Sequence, residues 1–212
     1  MRTHHWAAPL LCLALMTSVT ACGTEDPSPT SSASDPSATP TPTPTDEPTE
    51  TNPVDEADGA DLPRWDVDPA EGGPMGAGGM LGLVDVRTGR HDDLDRVVLE
   101  LEGEGDLGYR VEYVPEPTAD GSGEPVDVKG DSHLQVALYG MGMPFDNGIP
   151  AFGDHTTRVP ARGADGIAEV APGGVFEGIQ QAFVGIAGPE RPFRAFVLTN
   201  PTRVVIDVQH QG

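Results

Sequence analysis

The chain has 212 residues, with 34 acidic and 12 basic side chains and a formal net charge of -22. A balance this acidic excludes nucleic acid and anionic lipid surfaces as long-range electrostatic partners. Only two cysteines are present, Cys12 and Cys22. Both fall in a stretch with the pattern of an export signal, so no disulfide framework is expected.

Residues 1–21 are predicted to be a secretory signal. A basic start at Arg2 precedes an apolar run over 7–16, which is shorter than the about 20 apolar residues that a membrane-spanning helix needs. The following Val19-Thr20-Ala21-Cys22 resembles the lipobox of bacterial lipoproteins. The resemblance implies that Cys22 carries a diacylglycerol, which would anchor the protein on the extracytoplasmic face of the cell membrane. The alternative is an ordinary signal with a chance cysteine at its end.

Residues 22–62 are predicted to be a disordered linker. They are rich in Pro, Thr and Ser, and 23–62 contain ten carboxylates and no Lys or Arg. Such a segment buries too little apolar surface to offset the entropy of ordering. Prolines and repelling charges favour an extended tether, with a reach on the order of 100 Å.

Residues 63–78 are predicted to be an irregular, glycine-rich lead-in, with Trp65 packed on the surface of the domain that follows. That domain is predicted to cover 79–209. Its apolar residues do not keep a period of 3.6 for three turns, and the chain has 27 Gly and 22 Pro. Both features argue against long helices.

Several stretches of the domain alternate apolar and polar residues. Val97, Leu99 and Leu101 fall on one face, which predicts a half-buried strand. Similar runs lie at 109–113, 134–138, 194–198 and 203–208, with further candidates at 81–87, 167–170 and 176–186. The turn residues at 199–202 predict a hairpin between the last two runs. About eight short strands favour an all-β fold, either a β-sandwich or an open barrel.

Six motifs run through this domain, at 86–92, 95–98, 108–114, 176–178, 191–194 and 200–208. Together they resemble the AMIN-like domain of actinobacterial lipoproteins. That domain is a relative of the AMIN β-sandwich, which carries cell-wall amidases and secretin subunits to their places in the envelope. The last motif is the most specific, because it resembles the Pro-x-Arg-hydrophobic-Asp strand with which AMIN domains end. The resemblance implies a wall-directed binding module whose relatives have peptidoglycan as their ligand.

A cluster after the first strand pattern offers oxygen ligands. His91 is followed by Asp92, Asp93 and Asp95, a set that could hold Ca²⁺. The stretch lacks the glycine and the distal glutamate of an EF-hand loop. The alternative, which the pattern favours, is a polar turn between two strands.

Arginine and acid also lie close together on the predicted strands. Arg87, Arg90 and Arg96 are near Asp85, Asp92 and Asp95, and Arg203 is near Asp207. Such neighbours favour structural ion pairs over ligand binding, and exposed pairs stabilise by only about 0 to 1 kcal/mol each.

No catalytic motif is expected. Asp131-Ser132-His133 contains the letters of a triad, but neighbouring strand residues point to opposite faces. The histidines have no zinc spacing. The sequence therefore predicts a protein that is not an enzyme and needs no cofactor.

The long insert at 139–163 is the candidate ligand-binding surface. It contains Tyr139, Phe145, Phe152 and His155 among Gly, Pro, Asp and Asn. Aromatic and Met side chains on a long loop suit a sugar ring or a protein partner. Equally, the apolar residues could fold back as a lid on the sandwich.

The expected function is a membrane-anchored lipoprotein that binds peptidoglycan or another wall glycan. The alternative is a protein-protein adaptor that docks an envelope enzyme through the 139–163 loop. The chain is expected to be a monomer.

Overall fold

The computed structural model describes residues 62–76, 78–154, 156–161 and 163–211. These residues form ten β-strands and one four-residue helix, which confirms the prediction of an all-β fold. The signal, Cys22 and the linker as far as Asp61 lie outside the described residues. The elements are β1 (Ala70–Gly72), β2 (Gly82–Arg90), β3 (Leu94–Glu102), β4 (Gly108–Val114), β5 (Ser132–Tyr139), α1 (Pro144–Asn147), β6 (Val159–Pro160), β7 (Ile167–Phe176), β8 (Ile179–Ile186), β9 (Phe193–Leu198) and β10 (Thr202–Gln209).

The strands form two antiparallel sheets. One has six strands in the order β1-β4-β5-β8-β7-β6, and the other has four in the order β2-β3-β10-β9. The main core contains buried residues from both sheets, such as Leu99 and Ile206 from one and Val136 and Val184 from the other. The fold is therefore a β-sandwich, one of the two predicted architectures.

The alternation in β3 places side chains as predicted. Val97, Leu99 and Leu101 are buried in the main core. The opposite face is less exposed than the pattern indicates, because Val98 is also buried, in a cluster with Phe196 and Val205. The outer face of the four-stranded sheet is therefore partly covered.

The predicted hairpin near the carboxyl terminus is confirmed. β9 and β10 pair antiparallel, and residues 199–201 connect them. Asn200 has a φ of 64°, and the peptide bond between Asn200 and Pro201 is cis. β10 also pairs with β3 along its whole length, which makes it a central strand.

The connection between β4 and β5 covers the outer face of the six-stranded sheet. Ala119, Val126 and Val128 of this connection pack with Ala171 and Phe183 in a small second core. The backbone lies very close to β8 here, because a Cβ on Gly185 would be 1.8 Å from the carbonyl oxygen of Lys129. A glycine is therefore required at that position of β8.

The lead-in is more ordered than predicted. Ala70–Gly72 is a strand that pairs with β4, and Asp66 makes two backbone hydrogen bonds with Phe193 at the start of β9. The expectation of an irregular lead-in is wrong for these residues. Their pairing depends on distant strand edges, which local sequence does not reveal.

Candidate functional site

A cavity of about 240 Å³ lies at one end of the sandwich. It opens where β2 of one sheet faces the β7 and β8 ends of the other, and the segment from Gly142 to Gly153 closes it. Its lining residues are Gly82, Leu83, Gly142, Met143, Pro144, Asn147, Ile149, Pro150, Ala151, Phe152, Gly153, Gly174, Val175 and Gln180. Most of these contribute apolar surface.

Irregular strands shape this end of the sandwich. The register shifts between Leu83 and Asp85 in β2, and again between Pro172 and Val175 in β7. β-Bulges of this kind bend a strand away from its regular course. Both shifts lie at cavity-lining residues, so they let the sheets separate where the cavity forms.

Two amides fix the loop that closes the cavity. Asn147 donates to the carbonyl oxygens of Leu81 and Gly142, at 3.2 Å each, and accepts the N–H of Ile149 at 2.8 Å. Gln180 donates to the carbonyl oxygens of Gly173 and Phe152. Both side-chain amides bond to the protein's own backbone, which leaves an apolar lining for a ligand.

The structure separates the four candidate residues of the 139–163 insert. Phe145 on α1 is 81% exposed beside the cavity, and Phe152 lines the cavity and packs against the main core. Tyr139 follows Leu138, a main-core residue, and therefore faces the outer side of the six-stranded sheet. His155 lies outside the described residues. Of the three candidates that the structure describes, Phe145 and Phe152 lie at one site.

The 139–163 insert partly folds back as a lid on the sandwich, which was the alternative to a ligand-binding loop. Met141 is 2% exposed in the main core, and Ile149 lies over Gly82. A Cβ on Gly82 would be 2.8 Å from the Ile149 side chain, so glycine there allows the contact. Phe145 nevertheless stays exposed, so the insert both covers the core and presents an apolar side chain.

Six exposed carboxylates lie on or next to the segments that line the cavity. They are Glu102, Glu104, Asp106, Asp146, Asp154 and Glu177. The segments that carry them, 102–107, 140–154 and 173–180, contain no Lys or Arg. The hydroxyl of Thr156 makes the hydrogen bond that lowers the pKa of Asp154 most, and the backbone of Thr156 and the hydroxyl and backbone of Thr157 lower it further, to about 2. This carboxylate therefore stays charged.

A buried ion cluster lies on the outer face of the four-stranded sheet. The Nε and Nη2 atoms of Arg96 are 2.6 and 2.9 Å from the two carboxylate oxygens of Asp207, and the Nε of Arg194 is 2.8 Å from one of them. The Asp207 side chain is 0% exposed. Ion pairing between arginines and acids was predicted, but Arg203 was the expected neighbour of Asp207. Arg203 instead donates to the carbonyl oxygens of Pro201 and Thr199.

Aromatic rings extend this cluster. The guanidinium carbon of Arg194 lies 4.4 Å from the centre of the Trp65 ring and 5.9 Å from that of Phe196. Trp65 therefore packs on the domain surface, in a cation–π arrangement. Arg87 on the same face bonds Asp85 and Glu100 at 2.7 and 2.9 Å.

The candidate calcium ligands Asp92, Asp93 and Asp95 do not converge on one site. Asp92 and Asp93 are exposed, whereas Asp95 is buried. Asp95 contacts His210 at 2.9 Å and accepts the backbone N–H groups of Gly166 and Ile167. Across the described ranges, no three His, Asp or Glu side chains form a group that could hold a metal ion.

The other sequence neighbours have structural partners. Arg90 pairs with Asp165 at 2.6 Å rather than with Asp92, and its hydrogen bond lowers the pKa of Asp165. In the Asp131-Ser132-His133 stretch, the Ser132 hydroxyl donates to the carbonyl oxygen of Gly188, and a His133 ring nitrogen contacts that of Val128. These side chains bond to the backbone and not to one another.

The fold and its surfaces define an all-β sandwich domain with an apolar end cavity and an arginine-bearing sheet face. The family model of the AMIN-like domain matches residues 81–210, more than half of the chain. The protein therefore belongs to the AMIN-like domain family, as its motifs predicted. This family suggests an envelope-targeting binding module. Comparisons with curated proteins and with solved structures give no match. In the part of the chain that the structure describes, no helix has the length and apolar character needed to traverse a membrane.

Proposed function

We propose that this protein is a cell-envelope lipoprotein whose AMIN-like domain binds peptidoglycan or another wall glycan without catalysis. Membership of the AMIN-like family over 81–210 is the observation that carries the proposal. The lipid on Cys22 anchors the chain to the extracytoplasmic face of the membrane. The linker at 22–62 then extends the domain into the wall.

Charge favours the outer face of the four-stranded sheet as the wall-binding surface. The stem peptides of peptidoglycan carry carboxylates, which the six acids around the end cavity would repel. On the sheet face, Arg87 is 26% exposed while it bonds Asp85 and Glu100. Trp65 is half-buried there. Guanidinium groups bind carboxylates and an aromatic ring can stack on a sugar, so this face offers both kinds of contact, with Arg87 shared between the ligand, Asp85 and Glu100.

Co-sedimentation of the whole chain with purified sacculi tests this function. Wall polymers are stripped or left in place, and each sample is run with and without Ca²⁺. We expect binding that survives stripping and that weakens in Arg87→Ala, while Phe145→Ala binds like the unchanged protein. The absence of binding under all of these conditions would contradict the proposal.

The exposure of Phe145 favours a second function, that of a protein-protein adaptor. An 81% exposed phenylalanine beside an apolar cavity is an unfavourable surface for a chain without a partner. A photocrosslinking amino acid at position 145, introduced in cells, should capture an envelope enzyme. The same amino acid at Val197, an exposed apolar position on β9, serves as the control. Equal capture patterns at the two positions would count against an adaptor.

A further inference from the structure

We infer that the end cavity binds one large apolar side chain of a basic peptide segment in a partner protein. The inference rests on the adaptor function and names the chemistry of its partner. Three observations carry it: the size and lining of the cavity, the exposed apolar side chains at its mouth, and the charge around it.

The size of the cavity fits a single side chain. Pockets for drug-sized molecules have volumes of about 300–1,000 Å³, and a cavity of about 150 Å³ is enough to hold benzene. The end cavity, at about 240 Å³, lies between these limits. Leu83, Ile149, Phe152 and Val175 provide much of its wall. An aromatic or long aliphatic side chain therefore fits it in both volume and polarity.

Exposed apolar groups at the mouth provide further contact area. Phe145 is 81% exposed and Met143 is 36% exposed, and both lie on the segment that closes the cavity. Methionine and phenylalanine are frequent at the centres of protein interfaces, and methionine adapts its shape to different partners. The cavity and its mouth thus form one apolar surface.

Charge selects the partner segment. The six exposed carboxylates on or next to the lining segments lie in stretches without Lys or Arg. Complementary charge steers association and rejects partners of the same sign. The preferred occupant is therefore an apolar side chain with Lys or Arg on either side, and an acidic segment with the same apolar residue is excluded.

A pentapeptide with tryptophan between two pairs of lysines serves as the probe for the whole chain, with binding followed by fluorescence anisotropy. We expect it to bind, and the same peptide with glutamate in place of lysine not to bind. Replacement of the tryptophan by alanine should weaken binding about tenfold, as expected for an interface anchor. Higher salt should also weaken binding, because it screens the carboxylates.

Gly174→Leu adds a side chain at a lining residue of the cavity with little risk to the fold. A Cβ at Gly174 meets no heavy atom within 4 Å, and the backbone there is outside the left-handed region. Gly76→Leu is the matched control, since Gly76 has the same freedom and does not line the cavity. We expect Gly174→Leu to weaken peptide binding about tenfold and Gly76→Leu to leave it unchanged.

The charge contribution has its own control. The double variant Glu102→Gln, Asp146→Asn should lower the affinity and flatten the salt dependence, whereas Glu116→Gln with Glu124→Gln should not. The inference would be overturned if Gly174→Leu left the affinity for the lysine peptide unchanged, or if the lysine and glutamate peptides bound equally well. If position 145 crosslinks a protein in cells and the lysine peptide does not bind, the adaptor function stands and only the basic, apolar chemistry is rejected.

Discussion

Asp207 shows how single residues hold this sandwich together. Its carboxylate is completely buried and receives hydrogen bonds from Arg96 and Arg194, whose side chains are 4% and 13% exposed. Removal of the acid would take away the buried carboxylate that both guanidinium groups share. Loss of one partner from such a buried pair typically costs about 3–5 kcal/mol.

We therefore expect Asp207→Ala to lower the free energy of unfolding by about 3–5 kcal/mol in urea denaturation. Asp92→Ala is the control, because Asp92 is exposed and surface changes usually stay within about 0.5 kcal/mol. A loss of less than about 1 kcal/mol for Asp207→Ala would show that the two arginines find other partners.

Tyr113 links the two sheets through its hydroxyl group. The hydroxyl donates to the carbonyl oxygen of Arg191 and accepts the N–H of the same residue, both at 2.8 Å. Its ring meets Phe193 edge to face, with 5.7 Å between the ring centres. Tyr113→Phe keeps the ring and removes both hydrogen bonds. We expect it to cost about 1–3 kcal/mol at neutral pH, since the two backbone groups lose their partner.

The same hydroxyl predicts a change in stability at alkaline pH. Burial raises the pKa of Tyr113 above its ordinary value of 10.0, although the hydrogen bond from Arg191 opposes this, and burial also raises the pKa of Tyr109. A tyrosine whose pKa is raised in the folded state contributes stability, and this contribution is complete at pH values below the pKa of the same group in the unfolded chain. This contribution disappears as pH rises from about 10 through the higher folded value.

Urea denaturation between about pH 8 and about pH 11 measures the effect. The free energy of unfolding should fall above about pH 10, and Tyr113→Phe should reduce that fall. An identical decline in the unchanged protein and in the variant would contradict a role for Tyr113.

At the scale of elements, the lead-in belongs to the folded domain although it precedes the family match. β1 extends the six-stranded sheet, while Asp66 pairs with β9 of the four-stranded sheet. Trp65 lies on Arg194 beside this contact. The lead-in therefore joins the edges of both sheets.

Trp65→Ala tests this element. We expect a loss of about 1–3 kcal/mol, from the cation–π contact and the apolar area of the ring. Val67→Ala in the same segment should change stability by less than about 0.5 kcal/mol, because Val67 is 45% exposed. Equal effects of the two substitutions in thermal unfolding would show that the lead-in adds nothing to the domain.

At the scale of the whole molecule, local patterns predicted the all-β fold and the strands of the core. The alternation of Val97, Leu99 and Leu101 correctly predicts a strand because one face of β3 packs against the opposite sheet. The hairpin of β9 and β10 was predictable because its strands are adjacent in sequence and Asn200-Pro201 forms the turn. Each of these features depends on residues that are close together in the chain.

Features that depend on sheet order were not predictable in this way. Asp207 meets Arg96 because β10 lies between β3 and β9, and no local spacing encodes that order. The end cavity combines residues from β2, the insert, β7 and β8. Of the predicted ligand residues of the insert, Phe145 and Phe152 reach this site, because α1 and the segment after it fold over the core.

The most direct test of wall binding is a titration of the whole, isotope-labelled chain with soluble peptidoglycan fragments, followed by amide NMR shifts. Wall binding through the sheet face predicts shifts that cluster on the outer face of the four-stranded sheet, around Arg87 and Trp65, and leave the amides around the end cavity unchanged. Shifts confined to the cavity would move the wall ligand to the acidic end of the domain. No shifts at any fragment concentration would contradict wall binding by this AMIN-like domain.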